Sequence, residues 1–195
     1  MQYQTAKGRD GLSETHVDAL IGKLGGPDQV LRILSGEIGL QLLPPAPGER
    51  FVTVPGGMSF DERVQRGHYG WRNAKLTDAG FPVTADQTGP TEQRLFHFDP
   101  GRSSEATIRE IRAAGYEPGR IGDLLTFGEL FPDEQRRHPV IALGSVTMID
   151  GSLSVPALWF DGDRRTLDLI WYDGDWHRNY RFLGVRRDVD VGMEG

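Results

Sequence analysis

The chain has 195 residues, 37% of them hydrophobic and 26% charged, enough to build one folded core of ordinary domain size. It has no cysteine, which excludes disulfides, thiolate nucleophiles, cysteine-ligated zinc and iron–sulfur clusters. A net charge of −6 disfavours nucleic acid as a partner, because affinity for phosphate backbones comes from clustered Lys and Arg.

With 26 Gly and 12 Pro the fold is expected to be rich in loops. The segment from Met1 to Asp10, with Lys7 and Arg9, lacks the apolar run of a signal peptide. No stretch approaches the roughly 18–20 apolar residues of a membrane span. The expectation is a cytoplasmic protein with no membrane contact. The pairs Arg136-Arg137, Arg164-Arg165 and Arg186-Arg187 lie among acids and predict a solvated mixed-charge surface.

In chain order, Val17, Leu20, Ile21 and Leu24 form one apolar helical stripe, with Ser13 as N-cap and Gly25-Gly26 as the stop. Pro27 and Asp28 suit the first turn of a second helix that carries Val30, Leu31, Ile33 and Leu34 and ends at Gly36. Residues 1–37 therefore predict an N-terminal helical hairpin. Ile38 to Leu43 and Phe51 to Val54 predict strands, separated by Pro44-Pro45-Ala46-Pro47-Gly48 and able to pair as a hairpin. Ser59 and Glu62 have the spacing of a capping box, which predicts a short helix to about Gly67. Arg72 to Gln93 is expected to be mostly loop.

Gln93 to Phe98 predicts a strand. Ser103-Ser104 should cap a helix that bears Ile108 and Ile111 and stops at Gly115. Another helix is expected from near Gly119, with Ile121, Leu124, Leu125 and Gly128 on one face and Pro132 at its end. A DNA-reading role for this helix pair is disfavoured, because the second helix sets Asp123 and Glu129 against Arg120 alone.

Asp150-Gly151, Asp161-Gly162 and Asp173-Gly174 supply the positive φ angles of tight hairpins at strand-length intervals. Between them lie Val140 to Ile149, Val155 to Phe160, Thr166 to Tyr172 and Arg178 to Val185. The third alternates, with Leu167, Leu169 and Trp171 on one face and Thr166, Asp168, Ile170 and Tyr172 on the other. The predicted fold class is α+β: short helices packed on a mainly antiparallel sheet, with a C-terminal four-stranded β-meander over 139–187. All 195 residues are expected to form a single domain.

The run from Leu24 to Glu37, Leu-Gly-Gly-Pro-Asp-Gln-Val-Leu-Arg-Ile-Leu-Ser-Gly-Glu, resembles the opening motif of a family of small, mostly uncharacterised bacterial proteins. That resemblance implies a strand pair after the motif. A central helical region then ends in an acidic turn, here Phe131-Pro132-Asp133-Glu134, ahead of a Trp-containing sheet. The chain departs from the pattern at Val140 to Leu143, where an aromatic pair would stand. The family carries no established activity, so the resemblance bears on fold and assigns no chemistry.

Several constellations offer chemistry, each with a simpler alternative. Asp161-Gly162-Asp163 and Asp173-Gly174-Asp175 are similar to the start of a calcium loop, but the twelfth positions are Tyr172 and Gly184 where a bidentate Glu is needed. Hairpin turns explain both. Asp173, Asp175 and His177 could hold zinc or manganese, yet an exposed polar turn needs no ion, and no metal or cofactor is expected. His97, Asp99 and His138 could support acid–base chemistry, but no nucleophile elbow, metalloprotease helix, phosphate loop or dinucleotide fingerprint accompanies them.

Two aromatic groupings point to binding. His68-Tyr69-Gly70-Trp71-Arg72 concentrates an imidazole, two aromatics and a guanidinium in a glycine-flanked loop, though the simpler reading is that Tyr69 and Trp71 cover an edge of the core. On the meander, Trp159, Trp171, Tyr172, Trp176, Tyr180 and Phe182 exceed what one sheet face buries, and Arg178 and Arg181 edge them. The leading expectation is a non-enzymatic binding or accessory protein that contacts a protein partner, or a second copy of itself, through His68, Tyr69, Trp71, Arg72, Trp176, Arg178, Tyr180 and Arg181. The alternative is a small hydrolase. It requires a closed pocket that brings two of His68, His97, His138 and His177 within reach of a carboxylate.

Overall fold

The computed structural model describes residues 26–34, 49–98, 100–174 and 176–187. The chain divides into two units, one of them Pro45–Val189. The described part of the other is α1 (Pro27–Leu34), which has Asp28 in its first turn as expected. The predicted helix over 13–24 and strand over 38–43 lie outside the described residues.

In the larger unit, β1 (Glu49–Val54) leads to α2 (Phe60–Arg66), whose capping box forms as predicted. The Glu62 amide donates to Ser59 Oγ at 3.2 Å, and the Ser59 amide donates to Glu62 Oε2 at 2.8 Å. A two-residue strand, β2 (Trp71–Arg72), and a 3₁₀ turn (Ala85–Gln87) interrupt the expected loop before β3 (Gly89–Phe96). Then come α3 (Ser104–Ala113), capped by Ser103, β4 (Glu117–Pro118), α4 (Ile121–Leu130) and α5 (Glu134–Arg137). The chain closes with β5 (Val140–Ile141), β6 (Thr147–Ile149), β7 (Ser152–Phe160), β8 (Arg165–Trp171) and β9 (Arg181–Arg186).

The strands form one mixed, mainly antiparallel sheet in the order β1-β3-β9-β5-β7-β8-β2, with β4 also on β9 and β6 also on β7. The α+β class with short helices on such a sheet is as expected. The meander runs β6-β7-β8, and its first turn is the anticipated Asp-Gly hairpin, with Asp150 at φ 49° and Gly151 at φ 82°. Two details differ from the predicted strand list. Val140 to Ile149 is broken into β5 and β6, both paired with β7. The last strand, β9, leaves β8 and inserts between β3 and β5, antiparallel to the first and parallel to the second. The third Asp-Gly does not close a tight hairpin: Gly174 has φ 142°, outside the left-handed well, and the long connection from Tyr172 to Tyr180 crosses the sheet.

Alternation along the strands decides the layering. Val140, Leu158, Leu167 and Leu183 face one way, beneath α2 and α4, and pack with Phe60, Val64, Leu124 and Phe127. Ile141, Ala157 and Phe182 face the other way, where Ile111 of α3, Tyr116 and Trp176 cover them. The second layer is thinner, with one helix where the first has two.

A buried cation ties the first layer together. Arg165, predicted to lie on the surface, is buried: Nη1 donates to the Gly67 carbonyl at 2.6 Å, Nη2 to the Gly128 carbonyl, and Nε and Nη2 to Gln135 Oε1 at 3.0 and 2.8 Å. Gly67 ends α2 and Gly128 lies in the last turns of α4, so the charge sits where helix C-terminal carbonyls are short of donors. A Cβ at Gly128 would collide with the Tyr69 hydroxyl and approach Leu158 Cδ1 to 2.8 Å, so any side chain there requires Tyr69 and Leu158 to shift. Arg187, also expected on the surface, pairs instead with the fully buried Asp123, whose carboxyl burial pushes up against the opposing pull of Arg187.

Replacing Arg165 by Leu should lower the unfolding free energy by about 3 kcal/mol, because it leaves buried carbonyls and Gln135 without donors. An unchanged denaturant midpoint at unchanged slope would show that the guanidinium is dispensable. Tyr69→Phe should act oppositely. The Tyr69 ring lies 5.1 Å from the Arg165 guanidinium carbon while its buried hydroxyl has no hydrogen-bond partner among the described residues, so the variant should be as stable as the parent or more so.

Candidate functional site

Away from α3, the second face of the sheet carries a recess over β5, β7 and β8 whose lining is partly exposed at Trp159, Asp168 and Ile170. Ile141 of β5 stands opposite Ala157 of β7, which stands opposite Asp168 of β8, so these three share a face with Trp159 and Ile170. Pro139, Ile141, Ala157, Trp159, Asp168, Ile170 and Tyr180 line a recess of about 240 Å³. A second cleft, of about 430 Å³, adjoins it through Ile170 and Tyr180 and continues to the outer edge of β8 past Trp171, Asp173, Trp176 and His177.

The connection after β8 builds the outer wall of this trough. Trp176 is only 6% exposed, stacks edge-on against Phe182 at 5.4 Å and Tyr180 at 5.6 Å, and donates from Nε1 to Ser104 Oγ at 3.2 Å. It anchors the connection to α3 and holds Tyr180 and His177 over the sheet; His177 lies 6.0 Å from the Tyr180 ring. Asp168 is the one acid in the inner recess. Its Oδ1 accepts from Asn73 Nδ2 at 2.9 Å and from the Leu169 amide at 2.7 Å, which fixes the carboxylate among apolar neighbours.

The residues singled out by sequence are distributed unevenly around this trough. Trp176 is a core residue that shapes the site from beneath, and Tyr180 lines both clefts. Arg178 is exposed, and its carbonyl accepts from His97 Nε2 at 2.6 Å and from Arg181 at 3.3 Å. Arg181 is half-buried and also donates to the Tyr180 carbonyl at 3.0 Å. In the other grouping, Tyr69 turns into the core under Arg165, and His68, at φ 48°, makes the turn that sends it there. Arg72 pairs with Asp61 at 2.6 Å over the Phe60 ring. Trp71, 38% exposed, pairs with Thr166 and so lies on the trough side of β8. The His68 to Arg72 loop thus serves mainly to tie β2 and α2 to the sheet.

Trp171, at 75% the most exposed large apolar side chain described, belonged to the aromatic grouping but was not singled out as a contact residue. Asp168 and Ile170 were missed as site residues, although an acid set among apolar neighbours on one face of an alternating strand was the available signal. The other chemical readings resolve locally. Asp161 Oδ1 accepts from the Asp163 and Arg164 amides at 3.0 and 2.8 Å, so this carboxylate caps its own turn, and those bonds hold its pKa below the usual range. Asp99 and Asp175 lie outside the described residues. Among the described residues, none of His68, His97, His138 and His177 is hydrogen-bonded to a carboxylate. His138, held below its usual pKa first by burial and then by Arg181, stands beside the trough's rim at Pro139.

Compared with known proteins, the chain matches no family model, no curated protein and no solved structure.

The contrast between two tryptophans is directly measurable. Trp171→Phe should remove most of the fluorescence that iodide quenches readily, whereas Trp176→Phe should leave that component intact and lower the unfolding midpoint. Equal quenching of the two would contradict the placement of the connection.

Proposed function

We propose that this is a non-enzymatic binding or accessory protein, acting in the cytoplasm through protein–protein contacts made by the trough on the open half of its sheet. The observation that supports this reading is a recess in which the part-exposed Trp159, Ile170 and Tyr180 stand over the buried Ile141 and Ala157, beside a wall of aromatic side chains held rigidly from below by Trp176. Rigid aromatics beside an apolar floor supply contact area at low entropic cost, which suits recognition. Trp171, on the opposite face of β8 from Ile170, borders the larger cleft at the strand's edge and reaches into solvent. The net charge of −6 weighs against nucleic acid as the occupant. Among the described residues no helix is long and apolar enough to cross a membrane.

A photo-reactive amino acid at position 171 should cross-link to a polypeptide in extract of the source organism, and Tyr180→Ala in the same protein should abolish the adduct. The same group at Asp78, in the loop that packs Leu76 and Phe81 against the opposite layer, should give none. An adduct that is indifferent to Tyr180→Ala, or equally strong from position 78, would overturn the proposal.

A further inference from the structure

The outer edge of β8 is only partly occupied. The Gly70 amide donates to the Arg165 carbonyl and the Asn73 amide to the Leu167 carbonyl, both at 2.9 Å, so the odd-numbered residues of β8 turn their backbone groups outward. β2 pairs with Thr166 and Leu167 and goes no further. The next outward rungs belong to Leu169 and Trp171. The Leu169 amide is taken by Asp168 Oδ1, while the Leu169 carbonyl and the Trp171 amide and carbonyl have no backbone partner among the described residues. An edge with free groups in ladder register is a template for one more extended segment.

That edge borders the larger cleft, and the inner recess opens one strand further in. Asp168 waits there without a cation: among the described residues it forms no ion pair, and its second oxygen accepts no hydrogen bond. The carboxylate is oriented by Asn73 and shares its recess with Trp159, Tyr180 and apolar side chains. This is what an ammonium or guanidinium on a flexible apolar stem requires: a fixed opposite charge, aromatic faces, and apolar walls for the stem. Asp173, exposed at the mouth of the larger cleft, adds a second negative charge on the approach.

We infer that the occupant of the trough is an extended, basic peptide segment of a partner protein. Its backbone adds as a strand to the outer edge of β8 at Leu169 and Trp171, and it places a Lys or Arg side chain between Trp159 and Tyr180 onto Asp168. This inference rests on the binding reading above and names the chemistry of the partner. The strand addition accounts for the free ladder groups, and the basic residue accounts for a carboxylate fixed in an otherwise apolar recess.

The test uses the full chain and a labelled peptide, acetyl-Thr-Val-Lys-Val-Thr-amide, followed by fluorescence anisotropy. The peptide should bind at least about tenfold more tightly than its counterpart with norleucine in place of lysine, and Asp168→Asn should erase that difference. Asn keeps the acceptor used by Asn73 and Leu169, so the variant should fold; circular dichroism checks this. N-methylation of the peptide backbone beside the lysine should weaken binding by a similar factor, because it removes ladder hydrogen bonds. Equal affinity of lysine and norleucine peptides, or indifference to N-methylation, would overturn the inference. So would competition by free butylamine at the peptide's own concentration, which would mark a small-amine site instead. If position 171 still cross-links a partner in a Tyr180-dependent manner while these peptides fail, the basic-strand inference falls and the binding reading stands. If the adduct is also missing, both fall.

Discussion

The guanidinium of Arg165 is the constraint around which the larger unit is arranged. A charge that cannot be discharged by proton loss is buried with no carboxylate bonded to it among the described residues, and its donors go to the ends of two helices and to one amide. Each contact has a geometric consequence. The bond to Gly67 meets the end of α2, the bond to Gly128 ties α4 where Tyr69 and Leu158 crowd its Cα, and Gln135 docks α5. Gln135 in turn donates to the carbonyls of Trp159 and Thr166 at 2.8 and 3.2 Å, so the network reaches the β7-β8 ladder itself. With β8 fixed from one side by this cluster, the first face of the sheet carries the larger core.

The second face is covered incompletely, and that asymmetry creates the site. Ile111 and Tyr116 cap β3 and β9 at one end, and the connection from β8 to β9 lays Trp176 over the middle. What remains is floored by small or branched residues and closed at the ends by aromatic rings. The crossing connection is needed because β9 belongs between β3 and β5. A tight hairpin after Trp171 would instead have placed the last strand on the outer edge of β8. The same topological choice therefore covers the middle of the face and leaves the edge of β8 free.

Local signals in the sequence were sufficient wherever the structure is decided locally. The Ser59 to Glu62 box, the Ser103 cap, Gly115 after α3 and the Asp150-Gly151 turn involve neighbours within a few residues, and all form as expected. The misplaced features all depend on distant partners. Arg165 and Arg187 look like surface charges beside their arginine neighbours, and only the tertiary fold brings Gly67, Gly128 and Gln135 to the first and Asp123 to the second. Trp176 reads as one more exposed aromatic until Phe182 and Ser104 are seen to enclose it. Strand order is equally invisible, since pairing β9 with β3 depends on residues nearly ninety positions apart. Of the site itself, the aromatic wall was legible as composition, whereas the floor and Asp168 needed the register of three strands.

The position of Asp168 bears on what kind of site this is. A carboxylate meant for acid–base work has to gain and lose a proton as a substrate turns over, which favours a neighbouring acid, a histidine or a nucleophile to exchange with. Here the bonded neighbours are an asparagine amide and a backbone amide, both donors that fix the carboxylate's orientation and neither able to pass a proton on. Donors that orient a carboxylate without relaying a proton suit recognition, where the group has to stay in place. Ile141, Ala157 and Ile170 then contribute by lowering the local polarity around that charge, which strengthens its pull on any cation brought alongside.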